Sequence, residues 1–592
     1  MTPRRARRSL GARDTVAMLA VIALVAVFVV RLVDVQVVQA ARLDEQSALR
    51  RSVHVDLHGA RGAIVDRNGV ALADSVTRYD LTTAPPLVAP FTGRLGGSRP
   101  HHVSVGAALA AVARASGASV PAMRASFDAN AHTDFAYLAK GLDTERYEAV
   151  MRLGIPWVYP QQQSARTYPT GAVAGNLTGF LGTDGAQAGL ELAYDRCLVG
   201  ADGSMTYERG ADGVQLPGSA VTTKRAHDGG TLVTTIDSDL QYLAQQDVAT
   251  AAQQLGAVSA TATVTKAKTG EVLAVADYPT VDPNDVDATT DRGAFGSRAL
   301  TDTYEPGSTI KAAIAAALID RGRATPTTGV RVPDERRFPW GGRITDAERH
   351  PVEDLTLTGI LQASSNVGIT ELGQSLTAQQ RYDVMKDFGL FTPQPAITYG
   401  GQPRMDYPAS PDWSAQTDVN SMFGQGISTT ALQVAGIYQT LANGGVRVPL
   451  HVVKECERPD GTMQDTPDVT GKRVVSPRAA HEVVQMLRSV IHGGTLNGMA
   501  PISGYDVAAK TGTAEVANGA AGYGADRIIS VAGIAPADDP QYVVTVTFTK
   551  PGPGHRVSSA AAPAFRTLMS QVLEEYRVRP SAAEPPLYPS NW

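Results

Sequence analysis

The stretch TDTYEPGSTIKAAIAAALID, residues 301–320, decides how this chain is read. Pro306 and Gly307 interrupt the incoming backbone and the Ala-rich run after Lys311 favours helix, so Ser308 is expected to open a helix. Lys311 follows by three positions, which puts its amine on the same helical face as the Ser308 hydroxyl. The positive end of the helix dipole favours negative charge developing at Ser308. This is the pattern of an activated serine nucleophile, provided burial or neighbouring cations lower the Lys311 pKa until the amine can act as a base. S-x-x-K alone is a weak signal. It arises by chance about once in a chain of this length, and its ordinary reading is a capping serine followed by a solvated lysine.

Two further motifs lift it. In LTLTGILQASSNVGITELGQ (355–374), Ser364 and Asn366 occupy a polar break between two apolar helical runs. There Ser364 can relay a proton, and Asn366 can hold both Lys311 and a substrate amide. The plainer reading is a turn whose side chains cap backbone groups. In DVAAKTGTAEV (506–516), small and β-branched residues suggest a strand, and Gly512 lets a substrate backbone approach it. Lys510, Thr511 and Thr513 offer charge and donors for a terminal carboxylate. The Thr513 backbone N–H, with that of Ser308, suits an oxyanion hole. A second K-T-G, Lys268 to Gly270, lies between two alternating strands and is expected to be a hairpin turn.

The order S-x-x-K, S-x-N, K-T-G resembles the penicillin-recognising serine transferases and hydrolases. Further stretches narrow the resemblance to class B penicillin-binding proteins: RGAIVDRNG (61–69), RTYP (166–169), GLELAYD (189–195), YEPGS (304–308) and FGQGI (423–427). It spans the chain from about Arg31 to Arg577. The resemblance implies a peptidoglycan D,D-transpeptidase with Ser308 acylated by a D-Ala-D-Ala stem peptide, Lys311, Ser364, Asn366 and Lys510 catalytic, and Thr511, Gly512 and Thr513 substrate-binding. It also implies inhibition by β-lactams and a pedestal that meets a lipid II polymerase. RLVDVQVV (31–38) is similar to the division-specific FtsI type, which implies an FtsW-type polymerase and other division proteins as partners. The Arg- and Ala-rich composition resembles a high-GC Gram-positive source.

The chain has 592 residues, 43% of them hydrophobic and 19% charged, with a formal net charge of −5. This suits an ordinary globular protein of more than one domain and speaks against nucleic acid as a partner. MTPRRARRSLGAR precedes an uncharged run from Thr15 to Val30, and the apolar pattern continues to Val38. A single membrane-spanning helix over 15–38 is expected, ahead of the alternative of a cleaved signal peptide. The preceding arginines put the N-terminus in the cytoplasm and the bulk of the chain outside. Cys197 and Cys456 fall in different proposed domains, so a disulfide between them is not expected. The eleven histidines form no metal pattern; neither metal nor cofactor is expected.

The expected fold class is α+β: a cytoplasmic tail (1–14), the membrane helix, a stalk (39–55), an elongated mixed α/β pedestal (56–220), a transpeptidase domain (230–575) with helices on an antiparallel sheet, and a disordered Pro-rich tail (576–592). Other readings of the same motifs are an elongation-type transpeptidase, a D,D-carboxypeptidase, a β-lactamase, and a scaffold without catalysis. The β-lactamase needs an activated water, and no carboxylate can be given that task from sequence. The scaffold would be expected to have lost one motif, yet all three are present.

Overall fold

The structure is a computed structural model that describes every residue except 1–10, 41, 44–50, 96–98, 183, 209–215, 401, 403–412, 518–521 and 583–585. Most of the expected cytoplasmic tail, and 41 and 44–50 of the expected stalk, therefore lie outside the described residues. Two compact units divide the chain, one of residues 1–59 and 200–227, the other of 60–199 and 228–592.

In the first unit the helix Ala12–Val33 runs on through a π-helical turn, Asp34–Val38. None of its residues is buried, and Ala12–Val38 is long and apolar enough to cross a membrane. Twenty-two helical residues rise about 33 Å, close to the ~30 Å of a bilayer's hydrocarbon core. Arg31 pairs with Asp34 at 2.6 Å near the end of this span. The same unit holds an antiparallel sheet of Ser52–Leu57, Gly203–Glu208 and Val221–Lys224, with Gly203–Glu208 in the middle.

The second unit contains a sheet that the expected domain boundary does not anticipate. Thr231–Thr234 pairs parallel with Ile64–Val65 on one side and antiparallel with Val453–Glu457 on the other. The pedestal strands Ala71–Thr83, Ala136–Leu142 and Tyr159–Thr167 extend it. Pedestal and catalytic segments thus share backbone hydrogen bonds. This corrects the expectation for the cysteines. Leu232 stands in register with Cys456, while the neighbouring Gly230 N–H donates to the Cys197 carbonyl at 2.8 Å. The shared strand brings the two cysteines together, and they form a disulfide with Cα atoms 6.2 Å apart.

The RGAIVDRNG, RTYP and GLELAYD stretches meet in a largely buried cluster of ion pairs beside this sheet. Glu191, with no exposed surface, accepts Arg61 Nε at 2.7 Å and Arg166 Nε at 2.6 Å. Arg61 also reaches Asp195 at 2.6 Å. Asp66 accepts the backbone N–H groups of Asn68, Val70 and Ser238 and the Ser238 hydroxyl, which ties the 61–69 turn to the start of the catalytic body.

That body begins with α1 (Ser238–Leu255). It continues through strands β1 (Ser259–Lys266) and β2 (Val272–Tyr278), then helices α2 (Lys311–Asp320), α3 (Leu357–Ala363), α4 (Asn366–Gly373), α5 (Ala431–Ala442) and α6 (Pro477–His492). Strands β3 (Ala508–Ala517), β4 (Tyr523–Ala535) and β5 (Tyr542–Thr549) and helix α7 (Ala562–Glu575) complete it. The five strands form an antiparallel sheet in the order β2-β1-β5-β4-β3, so β3 is an edge. Helices α1 and α7 pack together on this sheet, α5 and α6 also pack against it, and α2 lies against α6. The architecture is α+β, as the sequence leads one to expect. Every residue of α2 from Lys311 to Ile319 is buried, because KAAIAAALI is small or apolar all round. The second K-T-G is a hairpin turn: Gly270, at φ +74°, closes the β1–β2 connection and donates to the Lys266 carbonyl at 3.0 Å.

The tail after α7 differs from the expectation of disorder. Tyr576 donates to Asp237 at 2.8 Å, and Ser590 accepts the Thr356 N–H at 2.9 Å. Proline content kept this segment out of helix and sheet interiors, but its carbonyls still pair with exposed backbone donors.

Replacing Cys197 and Cys456 by serine together is expected to cost about 2–5 kcal/mol. Denaturant unfolding under non-reducing conditions measures it, with the wild-type chain under reduction as the comparison.

Candidate active site

The turn that carries Ser308 precedes the helix proper. Gly307–Ile310 is one turn of 3-10 helix, and α2 starts at Lys311. Gly307 sits at φ +57°, and a side chain there would collide with the Thr513 backbone: an added Cβ would lie 2.7 Å from its carbonyl oxygen. Gly424, at φ +82°, would likewise bring a Cβ within 2.1 Å of the Gly307 oxygen, and Gly307 N–H donates to the Gly424 carbonyl at 3.0 Å. A Cβ on Gly512 would meet Ser530 Oγ at 2.4 Å and Thr309 Cγ2 at 2.9 Å. Three glycines thus let the serine turn, the 423–427 loop and the edge strand β3 pack backbone to backbone.

Ser308 is half-buried, and its Oγ has no hydrogen-bond partner among the described residues. Lys311 has no exposed surface. Its Nζ donates to the Ser364 carbonyl at 2.5 Å and to Asn366 Oδ1 at 2.8 Å, and lies 3.4 Å from Ser364 Oγ. Lys510, equally buried, donates to Ser364 Oγ at 2.8 Å. The three motifs converge on the Ser364 hydroxyl, which separates two buried amines. Desolvation lowers the Lys311 pKa to about 7, with the charge of Asp346 opposing it. Desolvation and the repulsion of Lys311 hold Lys510 well below the ordinary lysine value. The folded pair therefore binds fewer protons than the unfolded chain between about pH 7 and the ordinary lysine value of 10.5. In that window unfolding takes up protons, so the pair makes stability rise with pH.

A neutral Lys311 amine has two protons and one lone pair. Both protons are committed to the Ser364 carbonyl and Asn366, which leaves the lone pair to take a proton. Ser364 caps α3 in the left-handed region at φ +60°, a strained conformation that the surrounding structure must hold.

Asp346 is a site residue that sequence reasoning missed. One of its oxygens accepts the backbone N–H groups of Asn366, at 2.5 Å, and Val367, at 2.9 Å. The other accepts the Ser365 hydroxyl at 2.6 Å and faces His350 Nε2 at 3.1 Å. Asn366 Nδ2 donates to the Thr345 carbonyl at 3.0 Å, which fixes its Oδ1 toward Lys311. The carboxylate lies at the first turn of α4, where negative charge is favoured. Asp346 precedes the Ser-Asn motif by about one hairpin, and nothing in the RITDAERH segment marks it. Of the carboxylate-binding candidates, Thr513 is exposed, whereas Thr511 is buried and shares a 2.8 Å hydrogen bond with Thr495. Glu305, three residues before Ser308, accepts Gly426 N–H and the Tyr523 hydroxyl, each at 2.9 Å, and burial raises its pKa. It ties the 423–427 loop to the start of β4.

Comparisons with known proteins place the chain in a family. Residues 260–570 match the penicillin binding protein transpeptidase domain, and residues 56–234 match the penicillin-binding protein dimerisation domain. The chain is 36% identical to penicillin-binding protein PbpB of Mycolicibacterium smegmatis over 95% of this chain and 90% of that one. It is 30% identical to peptidoglycan D,D-transpeptidase FtsI of Escherichia coli over 93% of this chain and 90% of that one. The crystal structure of penicillin binding protein 3 from Mycobacterium tuberculosis, complexed with aztreonam, superposes with a TM-score of 0.68 at 30% identity, covering 91% of this chain and all of that one.

Acylation of Ser308 by a β-lactam is expected to rise with pH and level off above a midpoint near 7, where Lys311 loses its proton. Below that midpoint the rate should fall about tenfold per pH unit. Stopped-flow acylation rates between pH 5 and pH 9 test this.

Proposed function

This chain belongs to the class B penicillin-binding proteins of the division-specific FtsI type, and on that premise we propose that it cross-links peptidoglycan by D,D-transpeptidation at the division septum. The observation that carries the mechanism is the meeting of Lys311 and Lys510 on the Ser364 hydroxyl, with Lys311 one helical turn after Ser308.

Lys311, as the neutral amine, takes the proton of Ser308 while Oγ attacks the carbonyl of the penultimate D-Ala. The oxyanion of the tetrahedral intermediate faces the backbone N–H groups of Ser308 and Thr513. Collapse breaks the C–N bond. The proton passes through Ser364, between Lys311 and Lys510, to the departing D-Ala amine and leaves an ester on Ser308. An amine of a second stem peptide then attacks the ester and gives its proton to the same relay. The new amide forms as the Ser308 C–O bond breaks, and Oγ recovers its proton. Thr513, with Thr511 and Thr495 behind it, receives the terminal carboxylate. The edge position of β3 lets the substrate backbone lie alongside Gly512. A β-lactam enters the first half of this cycle as a cyclic mimic of D-Ala-D-Ala and stays as the ester.

The helix Ala12–Val33 makes this a single-pass membrane protein. The arginines ahead of it favour a cytoplasmic N-terminus, which places Ser308 outside with the wall polymer. A lipid II polymerase of the FtsW type is the partner that suits the pedestal, because cross-linking needs newly made strands delivered beside the cleft.

Ser308→Ala is expected to abolish covalent β-lactam labelling while leaving the protein folded, read by intact mass and peptide mapping. Lys311→Ala should retain the fold and slow acylation by about 10²–10⁴-fold. Covalent labelling of the Ser308→Ala protein would place the nucleophile elsewhere.

A further inference from the structure

Ser364 ends α3, a helix of only seven residues. So short a helix has little stability of its own and is placed by its packing against α6 and α4 and by what holds its ends. Its N-terminal end is held by the last residues of the chain. The Thr356 side chain caps α3 by accepting Gly359 N–H at 3.0 Å. The hydroxyl's single proton goes to the Pro589 carbonyl at 2.6 Å, which leaves the oxygen lone pairs for that cap. Thr356 N–H donates to the Ser590 carbonyl at 2.9 Å, and Trp592 N–H to the Asp354 carbonyl at 3.3 Å. Leu355 and Asn591 stand opposite each other as an antiparallel bridge. The segment therefore lies as an added strand beside the two-stranded sheet of Gly329–Val332 and Glu353–Thr356.

The fit is close on both sides. A Cβ on Gly359, within α3 itself, would lie 2.0 Å from the Ser590 carbonyl oxygen. A Cβ on Gly329 would lie 2.3 Å from the Trp592 ring, and Trp592 Nε1 reaches the Val330 carbonyl at 3.4 Å. From Thr356 to Ser364 is about 12 Å along the helix axis, a rigid span that carries any displacement of the cap to the hydroxyl shared by the two lysines.

We propose that residues 588–592 are a positioning element of the active site, clamping α3 at its N-terminus so that Ser364 meets both Lys311 and Lys510. The proposal rests on the reading of these three residues as the proton relay. The groups facing Lys311 are Lys510 across Ser364 and Asp346 with His350 beyond Asn366; none belongs to the tail. A pH effect of removing the tail is thus transmitted through α3.

The test uses the full-length chain in detergent micelles, a variant ending at Pro586, and Gly359→Ala, which keeps α3 but unseats Ser590. Acylation by a fluorescent penicillin is followed against pH. Both variants are expected to acylate about ten- to a hundredfold more slowly. Their pH midpoint should move upward, toward that of an ordinary amine, as water reaches Lys311. The peptide LYPSNW, added at millimolar concentration, should restore the truncated variant but not Gly359→Ala, whose added methyl blocks the seat. Unchanged rate and midpoint in the folded variants would overturn the proposal, as would a loss of rate that merely follows the unfolded fraction with the midpoint fixed. Hydrogen exchange across 357–366 reads the same coupling without acylation. Faster exchange on truncation is expected, and unchanged exchange overturns the proposal. A full-length chain that takes up no penicillin while its truncation speeds that exchange would contradict the functional reading alone.

Discussion

Two lysine amines with no exposed surface share one hydroxyl at the centre of this protein, and much of the surrounding structure follows from keeping both there. A buried ammonium is costly, and two within reach of one serine repel each other, so the pair sheds protons at a pH where lysines ordinarily keep them. That condition needs a helix that excludes water on every side, which the alanine-rich α2 provides. It also needs a carboxylate close enough to organise the Ser-Asn loop but not so close that it recharges Lys311. Asp346 meets this requirement by binding the backbone of the loop. The glycines at 307, 424 and 512 complete the arrangement, since only backbones without side chains can bring the serine turn against the edge strand.

The rest of the chain fixes where this chemistry takes place. Glu191, buried between Arg61 and Arg166, accepts from both guanidinium groups at once, and removing it would leave the buried Arg166 without its carboxylate while Arg61 kept Asp195. Asp66 joins the same region to Ser238 at the head of the catalytic body. The shared sheet and the Cys197–Cys456 disulfide add backbone and covalent links across the segments expected to be separate domains. Residues 60–199, most of the matched dimerisation region, are thereby built into one unit with the 228–592 body.

The convergence of the three motifs was legible because their spacing carries chemistry. Ser308 and Lys311 lie on adjoining turns of one helical segment, and the K-T-G at 510–512 falls in a β-branched context, whereas the K-T-G at 268–270 falls between alternating strands. Sequence could not show Asp346 in its role, since its partners are mostly backbone groups of the loop some twenty residues on and any short polar residue reads the same there. The disulfide is not legible because domain order in sequence does not give spatial separation: a four-residue strand, Thr231–Thr234, bridges the two halves. The tail was misjudged for a related reason. Proline-rich composition argues against helix and against a central strand, but not against an added edge strand whose pairing groups are the carbonyls of Pro589 and Ser590 and the N–H of Trp592.

The central claim is that burial keeps the Lys311–Lys510 pair from carrying two positive charges at neutral pH, and the amines themselves can report it. Selective isotopic labelling of lysine side chains, with Lys311→Ala and Lys510→Ala for assignment, allows their titration to be followed by nuclear magnetic resonance in the Ser308→Ala protein. A midpoint near 7 for one amine, with the second also displaced below the ordinary lysine range, is the result expected from the structure. Two amines that both remain protonated until pH 10 would contradict it and would remove Lys311 as the base that activates Ser308.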